Sequence, residues 1–195
     1  MREGPRGREQ FAKYKGVFAV LTSLYRALPL RMRKNALERH RNTRGKLGLG
    51  MRYAILRSIS DSVGENVAIF PGVFLFNPEN VVIGNNVSIQ PMTYMECGYR
   101  KGGITIDDDV SIAHGVTIMA TTHRFDAHDL KIRDQGVESE PVHIEENVWI
   151  GAKAAILSGV TIGHGSVVGA GAVVTKPLEP EGVYVGVPAK RVKDR

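Results

Sequence analysis

The sequence has one cysteine, no long uncharged apolar run and almost no acidic residue in its first third. The single cysteine, Cys97, excludes an intramolecular disulfide framework and fits a reducing compartment. The stretch from 11 to 30 is mostly apolar but includes Lys13, Lys15 and Arg26, so it is too charged to span a bilayer. It also lacks the cleavage site of a signal peptide. We therefore expect a cytoplasmic protein.

The scarcity of acids sets residues 1–60 apart from the rest of the chain. This segment holds 15 Lys or Arg against three acids, a net charge of +12, whereas the remainder carries −6. Helices are expected near residues 11–30, 31–44 and 53–59. We expect them to cap the open end of the domain that follows, to lie on the inner, anionic face of the cell membrane, or to do both. No nucleic-acid-binding motif accompanies the charge, so we expect no nucleic-acid partner.

What the chain does contain is a six-residue period. From Val63 onward an aliphatic residue returns at every sixth position, most regularly at Ile144, Ile150, Ile156, Ile162, Val168 and Val174. Small residues follow four places later, at Val148, Ala154, Val160, Ser166 and Ala172. A three-sided coil with one hexapeptide per side explains this spacing, because each side then points one large aliphatic inward. The period predicts a parallel β-helix and disfavours a β-sandwich, whose strands alternate with period two.

Interruptions of the period indicate where functional groups lie. The step from Met95 to Ile106 is eleven residues, and the step from Ile118 to Ile144 is 26. The longer gap predicts a loop that leaves the coil over about residues 119–143. Loops on a rigid scaffold are where binding and catalytic groups concentrate.

Three stretches carry a family resemblance. They are ITIDDDVSIAHGVTIMATTHRFDAH, NVWIGAKAAILSGVTIGHGSVVGAGAVVTK and GVPAKRV. They resemble the hexapeptide-repeat acyltransferases, especially sugar O-acetyltransferases of the galactoside and maltose acetyltransferase type. The resemblance implies a left-handed β-helix domain over residues 61–193 that forms a homotrimer with active sites between subunits. It also implies transfer of acetyl from acetyl-CoA, without a metal, to a sugar hydroxyl, here in a cell-surface glycan, an exopolysaccharide or its precursor.

The resemblance also implies site residues. His123 takes the place of the catalytic base, and an imidazole with a pKa near neutrality suits that task. On the acceptor side we expect Tyr94, Glu96 and Asp126, and either acid could orient His123. The coenzyme A candidates are Trp149, Gly151, Ala152, Ala170, Thr175, Lys176 and Lys190. Trp149 must point outward because its neighbour Ile150 points inward, so a second subunit or a ligand should cover it.

Several alternatives stay open at the level of sequence. Serine or nucleotide-sugar acetyltransfer uses the same scaffold. A zinc enzyme of the gamma carbonic anhydrase type would need three histidines, and His114, His123 and His128 are available. A non-catalytic scaffold could dock through the basic segment. His114, His143 and His164 sit at turn-like positions within the coils, where we expect structural roles.

Overall fold

The computed structural model describes residues 7–99 and 103–195, and it begins with three helices. These are α1 (Gly7–Arg26), α2 (Leu30–His40) and α3 (Gly45–Ile59). The expectation of three N-terminal helices is confirmed, although α3 begins eight residues before the predicted position 53. Within the described part of the chain no helix is long and apolar enough to cross a membrane.

Short strands make up the rest of the fold, together with single 3-10 turns at Pro78–Asn80 and Ile132–Asp134. The strands are β1 (Ser62–Val63), β2 (Ala68–Ile69), β3 (Phe74–Phe76), β4 (Val81–Ile83), β5 (Ser88–Ile89), β6 (Tyr94–Glu96), β7 (Ile104–Ile106), β8 (Ser111–Ile112), β9 (Thr117–Met119), β10 (Thr121–His123), β11 (Val137–Ser139), β12 (Val142–Ile144), β13 (Trp149–Ile150), β14 (Ala155–Ile156), β15 (Thr161–Ile162), β16 (Val167–Val168), β17 (Val173–Val174), β18 (Gly182–Val185) and β19 (Lys190–Asp194).

Three parallel sheets form the sides of a β-helix with about five turns. Sheet 1 has the order β1-β4-β7-β12-β15, sheet 2 contains β2-β5-β8-β13-β16-β18, and sheet 3 has the order β3-β6-β9-β14-β17. Successive strands along the chain belong to successive sheets, so every turn of the chain visits all three sides. Strand β19 pairs antiparallel with β18 and closes the C-terminal edge of sheet 2. The predicted parallel β-helix is confirmed.

The aliphatic residues of the six-residue period form the core of this β-helix. In-register pairing stacks the aliphatic residues of each sheet into a column, and all of them are buried. The columns are Val63, Ile83, Ile106, Ile144 and Ile162 in sheet 1, Ile69, Ile89, Ile112, Ile150 and Val168 in sheet 2, and Leu75, Met95, Ile118, Ile156 and Val174 in sheet 3. Burying each such side chain contributes about 1.5–3 kcal/mol.

The corners between the sheets are built from small residues and from residues in the left-handed backbone conformation. The small residues predicted there, from Val148 to Ala172, are buried. Between sheets 1 and 2 the chain turns through a left-handed residue on each level, at Asn66, Asn86, Asp109, Asn147 and Gly165. Asn, Asp and Gly adopt a positive φ at the lowest cost, which explains why these types recur at that corner.

Helix α3 covers the N-terminal end of the solenoid. Its residues Tyr53, Leu56 and Ile59 join the buried core of the first coil. Arg52, only 1% exposed, donates from Nε to the carbonyl of Ile69 (2.7 Å) and from Nη1 to the carbonyls of His40 (2.9 Å) and Thr43 (2.7 Å). This guanidinium therefore fastens the C-terminal end of α2 to the first coil. Burial lowers the pKa of Arg52 from its ordinary value.

Candidate active site

The predicted excursion from the coil is an antiparallel hairpin that carries His123. It leaves sheet 3 after β9 and returns at β12 in sheet 1, so it projects from the corner between these sheets. Its two strands pair in register, with His123 opposite Val137. At the base, the amide of Ala120 donates to the carbonyl of Glu96 (2.9 Å), and the amide of Glu140 donates to the carbonyl of Ala120 (3.0 Å). The imidazole of His123 is thus exposed on a hairpin whose root is part of the coil.

Glu96 anchors the first strand of that hairpin. Its Oε1 accepts a hydrogen bond from Thr121 Oγ1 at 2.7 Å. Residues two apart on a strand share a face, so Thr121 and His123 project from the same side of β10. Among the residues that the structure describes, no hydrogen bond joins Glu96 or Asp126 to the His123 ring. Glu96 therefore acts on β10 through Thr121, whereas Asp126 lies exposed in the loop beyond it.

Tyr94 lies on the outer face of sheet 3, two residues before Glu96. Its ring stacks on Phe74 of the coil below, with centroids 5.2 Å apart and planes inclined by 5°. The Arg41 guanidinium lies 5.2 Å from the centroid of the Phe74 ring, so three groups form one column. Partial burial, with smaller contributions from Glu96 and Cys97, raises the pKa of Tyr94. The phenol therefore stays protonated at neutral pH and is available as a donor.

Trp149 lies on the outer face of sheet 2, as the period predicts. It is 55% exposed and stands in register between Ser111 and Val167. In a three-sided coil, sheet 2 faces away from the corner between sheets 3 and 1. Within one chain, Trp149 is therefore on the opposite side of the β-helix from the His123 hairpin.

The small residues Gly151, Ala152 and Ala170 stack at the corner between sheets 2 and 3. A Cβ at Gly151 would lie 2.6 Å from the amide nitrogen of Ala170. The amide of Gly171 donates to the carbonyl of Ala152 at 2.8 Å. Gly151 is therefore required by the close approach of successive coils, whether or not a ligand lies along this corner.

The remaining cofactor candidates lie on two different sides. Thr175 and Lys176 follow β17 at the corner that also bears the hairpin, two coils further on, which corresponds to about 10 Å along the axis. Lys190 begins β19 on the edge of sheet 2, and its side chain is exposed. One chain thus brings Tyr94, Glu96 and the hairpin together, while Trp149 and Lys190 belong to another face.

Two of the other histidines, His143 and His164, have partners of their own. His143 lies on β12, not at a turn as expected, and its Nε2 is 2.9 Å from Asp107 Oδ2. His164 Nδ1 is 3.6 Å from Glu145 Oε2. His114 lies at the corner between sheets 2 and 3, away from the hairpin that bears His123 and His128. In residues 7–99 and 103–195, no group of three or more His, Cys, Asp or Glu side chains is arranged to hold a metal ion.

Sequence reasoning missed Thr121, Phe74 and Arg41. Two of them were detectable in principle from the register of the coils. Phe74 precedes its register partner Tyr94 by one coil of 20 residues. Thr121 follows Met119, the register partner of Glu96, by two residues. Arg41 leaves no such signal, because it reaches Phe74 from the helical segment.

Comparison with known proteins agrees with this geometry. Residues 141–176 match the family model described as bacterial transferase hexapeptide (six repeats). The galactoside O-acetyltransferase of Escherichia coli K12 is 36% identical over 143 residues, which cover 73% of this chain and 68% of that enzyme. Two proteins named putative acetyltransferases match over shorter stretches. One, from Schizosaccharomyces pombe, is 46% identical over 91 residues, which cover 46% of this chain and 42% of that protein; the other, from Staphylococcus aureus, is 43% identical over 115 residues, which cover 58% and 55%.

Solved structures show the same likeness over more of the chain. A galactoside acetyltransferase in complex with coenzyme A superposes with a TM-score of 0.73 at 32% identity, covering 85% of this chain and 80% of that one. A hexapeptide-repeat acetyltransferase from Vibrio cholerae, solved with acetyl-CoA, gives 0.74 at 28% identity, covering 85% and 86%. The chain therefore belongs to the hexapeptide-repeat acetyltransferases, of the galactoside and maltose O-acetyltransferase type.

Proposed function

We propose that this protein transfers an acetyl group from acetyl-CoA to a hydroxyl of a sugar in a cell-surface glycan, an exopolysaccharide or its precursor. The observation that carries the proposal is the arrangement around the hairpin. An exposed imidazole and a carboxylate that fixes the hairpin lie at one corner of a β-helix, and the phenol of Tyr94 lies on sheet 3, two residues before that carboxylate. Relatives with this fold are galactoside O-acetyltransferases, one of them solved with coenzyme A.

His123 acts as the general base. Its neutral imidazole removes the proton from the acceptor hydroxyl as that oxygen attacks the thioester carbonyl. The tetrahedral intermediate then collapses, the carbon–sulfur bond breaks, and the departing thiolate takes the proton from the imidazolium. The products are the acetyl ester and free coenzyme A, and His123 returns to its neutral form. Such general-base assistance is worth about 10²–10⁴-fold in rate.

Coenzyme A would contact several of the predicted residues. Gly151, Ala152 and Ala170 form a flat corner along which the pantetheine arm can lie against the backbone. Thr175 and Lys176, one corner further, would bind the same cofactor. Lys190 is exposed and has no acidic partner within the described residues, so its charge is available to a phosphate.

A homotrimer would complete the site. Trp149 is too exposed to be explained within one chain, and it faces away from His123 of the same chain. A second subunit that packs against sheet 2 would cover Trp149 and bring its own hairpin next to it. Three equivalent sites would then form at the three interfaces, each with His123 from one subunit and Trp149 from its neighbour.

Acceptor screening tests the proposed reaction. Release of free thiol from acetyl-CoA is followed with monosaccharides, polysaccharide fragments, nucleotide sugars and serine, and each product is identified by its mass. We expect acetyl ester formation on a carbohydrate. Turnover of serine alone, or of no acceptor in the panel, would contradict the proposal.

Mixed subunits test the shared site. His123→Asn and Trp149→Ala chains, each of which we expect to be weakly active alone, are co-expressed with different tags and purified as mixed oligomers. Regained thiol release is expected, because a site between unlike neighbours can hold both native residues. Mixed oligomers no more active than the separate variants would show that each site lies within one subunit.

A further inference from the structure

The helix α1 has two apolar faces, and only one of them is covered. Phe11 and Phe18 pack against Tyr53 of α3, with ring centroids 5.2 and 5.4 Å away. A second set of apolar side chains, the outer stripe, points away from α3. It consists of Val17, Val20 and Leu24.

The outer stripe is continuous along the helix. Val17, Val20 and Leu24 are 55%, 61% and 63% exposed. Their spacing of three and four residues places them on one face of an α-helix. A single exposed valine needs no explanation, but an uninterrupted apolar stripe over about two turns indicates a surface that is normally covered.

Charge indicates what covers it. Lys13, Arg26, Arg31, Arg39, Arg44 and Lys46 are exposed bases of the helical segment that are in no ion pair with another described residue, whereas the exposed Lys15 is paired with Glu65. Across residues 1–60 there are 15 bases and three acids, whereas the remainder of the chain is acidic. A stripe set in so basic a segment matches a surface that is apolar inside and anionic outside.

Length and position agree with a helix that lies on such a surface. No helix in the described residues is suited to cross a membrane, so α1 would lie in the plane of the interface. The helices occupy the N-terminal end of the solenoid, whereas the His123 hairpin leaves the third coil. Coils are spaced by about 4.8 Å, so the hairpin begins about 10 Å along the axis from the first coil, which α3 covers.

We propose that the outer stripe of α1 docks onto an anionic phospholipid bilayer, with the surrounding bases bound to its headgroups. This inference does not depend on acetyl transfer. If the proposed reaction also holds, docking keeps the site within reach of glycans that are assembled on a lipid.

Vesicle sedimentation with the full-length protein tests the proposal. The protein is mixed with vesicles of phosphatidylcholine alone, or of phosphatidylcholine with phosphatidylglycerol. We expect binding to the mixed vesicles that falls with added salt. Absence of that binding, or equal binding to neutral vesicles, overturns the proposal.

Two substitutions at neighbouring positions distinguish a contribution of the outer stripe to vesicle binding from a general effect of charge. Leu24→Asp places a charge in the stripe, whereas Ser23→Asp makes the same charge change in the same helical turn, rotated away by about 100°. We expect Leu24→Asp to weaken vesicle binding at least about tenfold more than Ser23→Asp does, because only the stripe enters the apolar layer. Equal losses in the two variants would overturn the role of the stripe.

Two further measurements make these outcomes unambiguous. Circular dichroism confirms that both variants keep their helices, and light scattering reports their oligomeric state. If Leu24→Asp dissociates the oligomer while vesicle binding stays unchanged, the stripe is a contact between copies of this chain and the proposal is wrong. Thiol release is measured separately, so a failure of acetyl transfer leaves the vesicle result intact.

Discussion

Removal of the Thr121 hydroxyl is the perturbation that best tests how the hairpin is held. In the native protein Glu96 Oε1 accepts a hydrogen bond from Thr121 Oγ1 at 2.7 Å. Thr121→Val keeps the shape and strand preference of the side chain but removes this donor. A hydrogen bond to a charged group contributes about 1.5–3 kcal/mol. If that energy holds β10 in its productive position, its loss lowers kcat by about 10–100-fold.

The assay is steady-state thiol release, with acetyl-CoA and the acceptor varied in turn. The KM for acetyl-CoA should stay unchanged, because the residues assigned to the cofactor do not contact Thr121. Thr121→Ser retains the hydroxyl and should recover most of the activity. Thr122→Val is the matched control, because residue 122 points to the other face of the strand.

A double-mutant cycle makes the test independent of other roles of Glu96. Glu96→Gln keeps an acceptor oxygen but removes the charge. If Glu96 acts through Thr121, the effects of Glu96→Gln and Thr121→Val on kcat are less than additive. A Thr121→Val enzyme with kcat within twofold of wild type, or fully additive effects, would refute the reasoning.

Two further substitutions test the helical cap and the cofactor assignment. Arg52→Met removes the hydrogen bonds from this buried guanidinium to four carbonyls and should destabilise the protein by about 3–5 kcal/mol in urea unfolding. The exposed Arg44→Met should change stability by less than about 0.5 kcal/mol. A small effect at Arg52 would mean that α2 is not fastened there. Lys190→Gln should raise the KM for acetyl-CoA several-fold and leave the KM for the acceptor unchanged. Lys193→Gln is the control. Equal effects of the two substitutions would mean that Lys190 contributes only through the general charge of this edge.

Most of the fold could be predicted from the sequence because the β-helix repeats one local rule. An inward aliphatic at every sixth position appears directly in the chain, and residues such as Ile150 and Ile156 are buried where the period places them. The outward direction of Trp149 follows from the same rule. These predictions need no knowledge of contacts between distant segments.

The start of α3 illustrates what the period does not provide. Gly45, Gly48 and Gly50 lower the helix propensity of this stretch, so the sequence favours a later start. In the structure a Cβ at Gly50 would lie 2.8 Å from Cε1 of Phe18, and one at Gly48 would clash with the carbonyl of Thr43. Glycine is therefore required for close packing, and tertiary contact overrides the local preference.

The location of the candidate site could be predicted from the sequence, but its contacts with distant parts of the chain could not. The break in the period places His123 on an excursion from the coil. The packing of Arg41 on Phe74 depends on how the helical segment folds back on the first coil, and no local pattern in the sequence specifies it. The separation of Trp149 from His123 likewise follows from the sides that they occupy, which become clear only when the coils are assembled.

Replacement of His123 by asparagine, measured by thiol release with the best acceptor, tests the central claim most directly. Asparagine keeps a polar side chain of similar reach but cannot remove a proton at neutral pH. We predict that kcat falls by about 10²–10⁴-fold while acetyl-CoA binding, followed by calorimetry, is unchanged. His128→Asn, on the same hairpin, should stay close to wild type. A His123→Asn enzyme that retains activity within tenfold of wild type would contradict the assignment of His123 as the base.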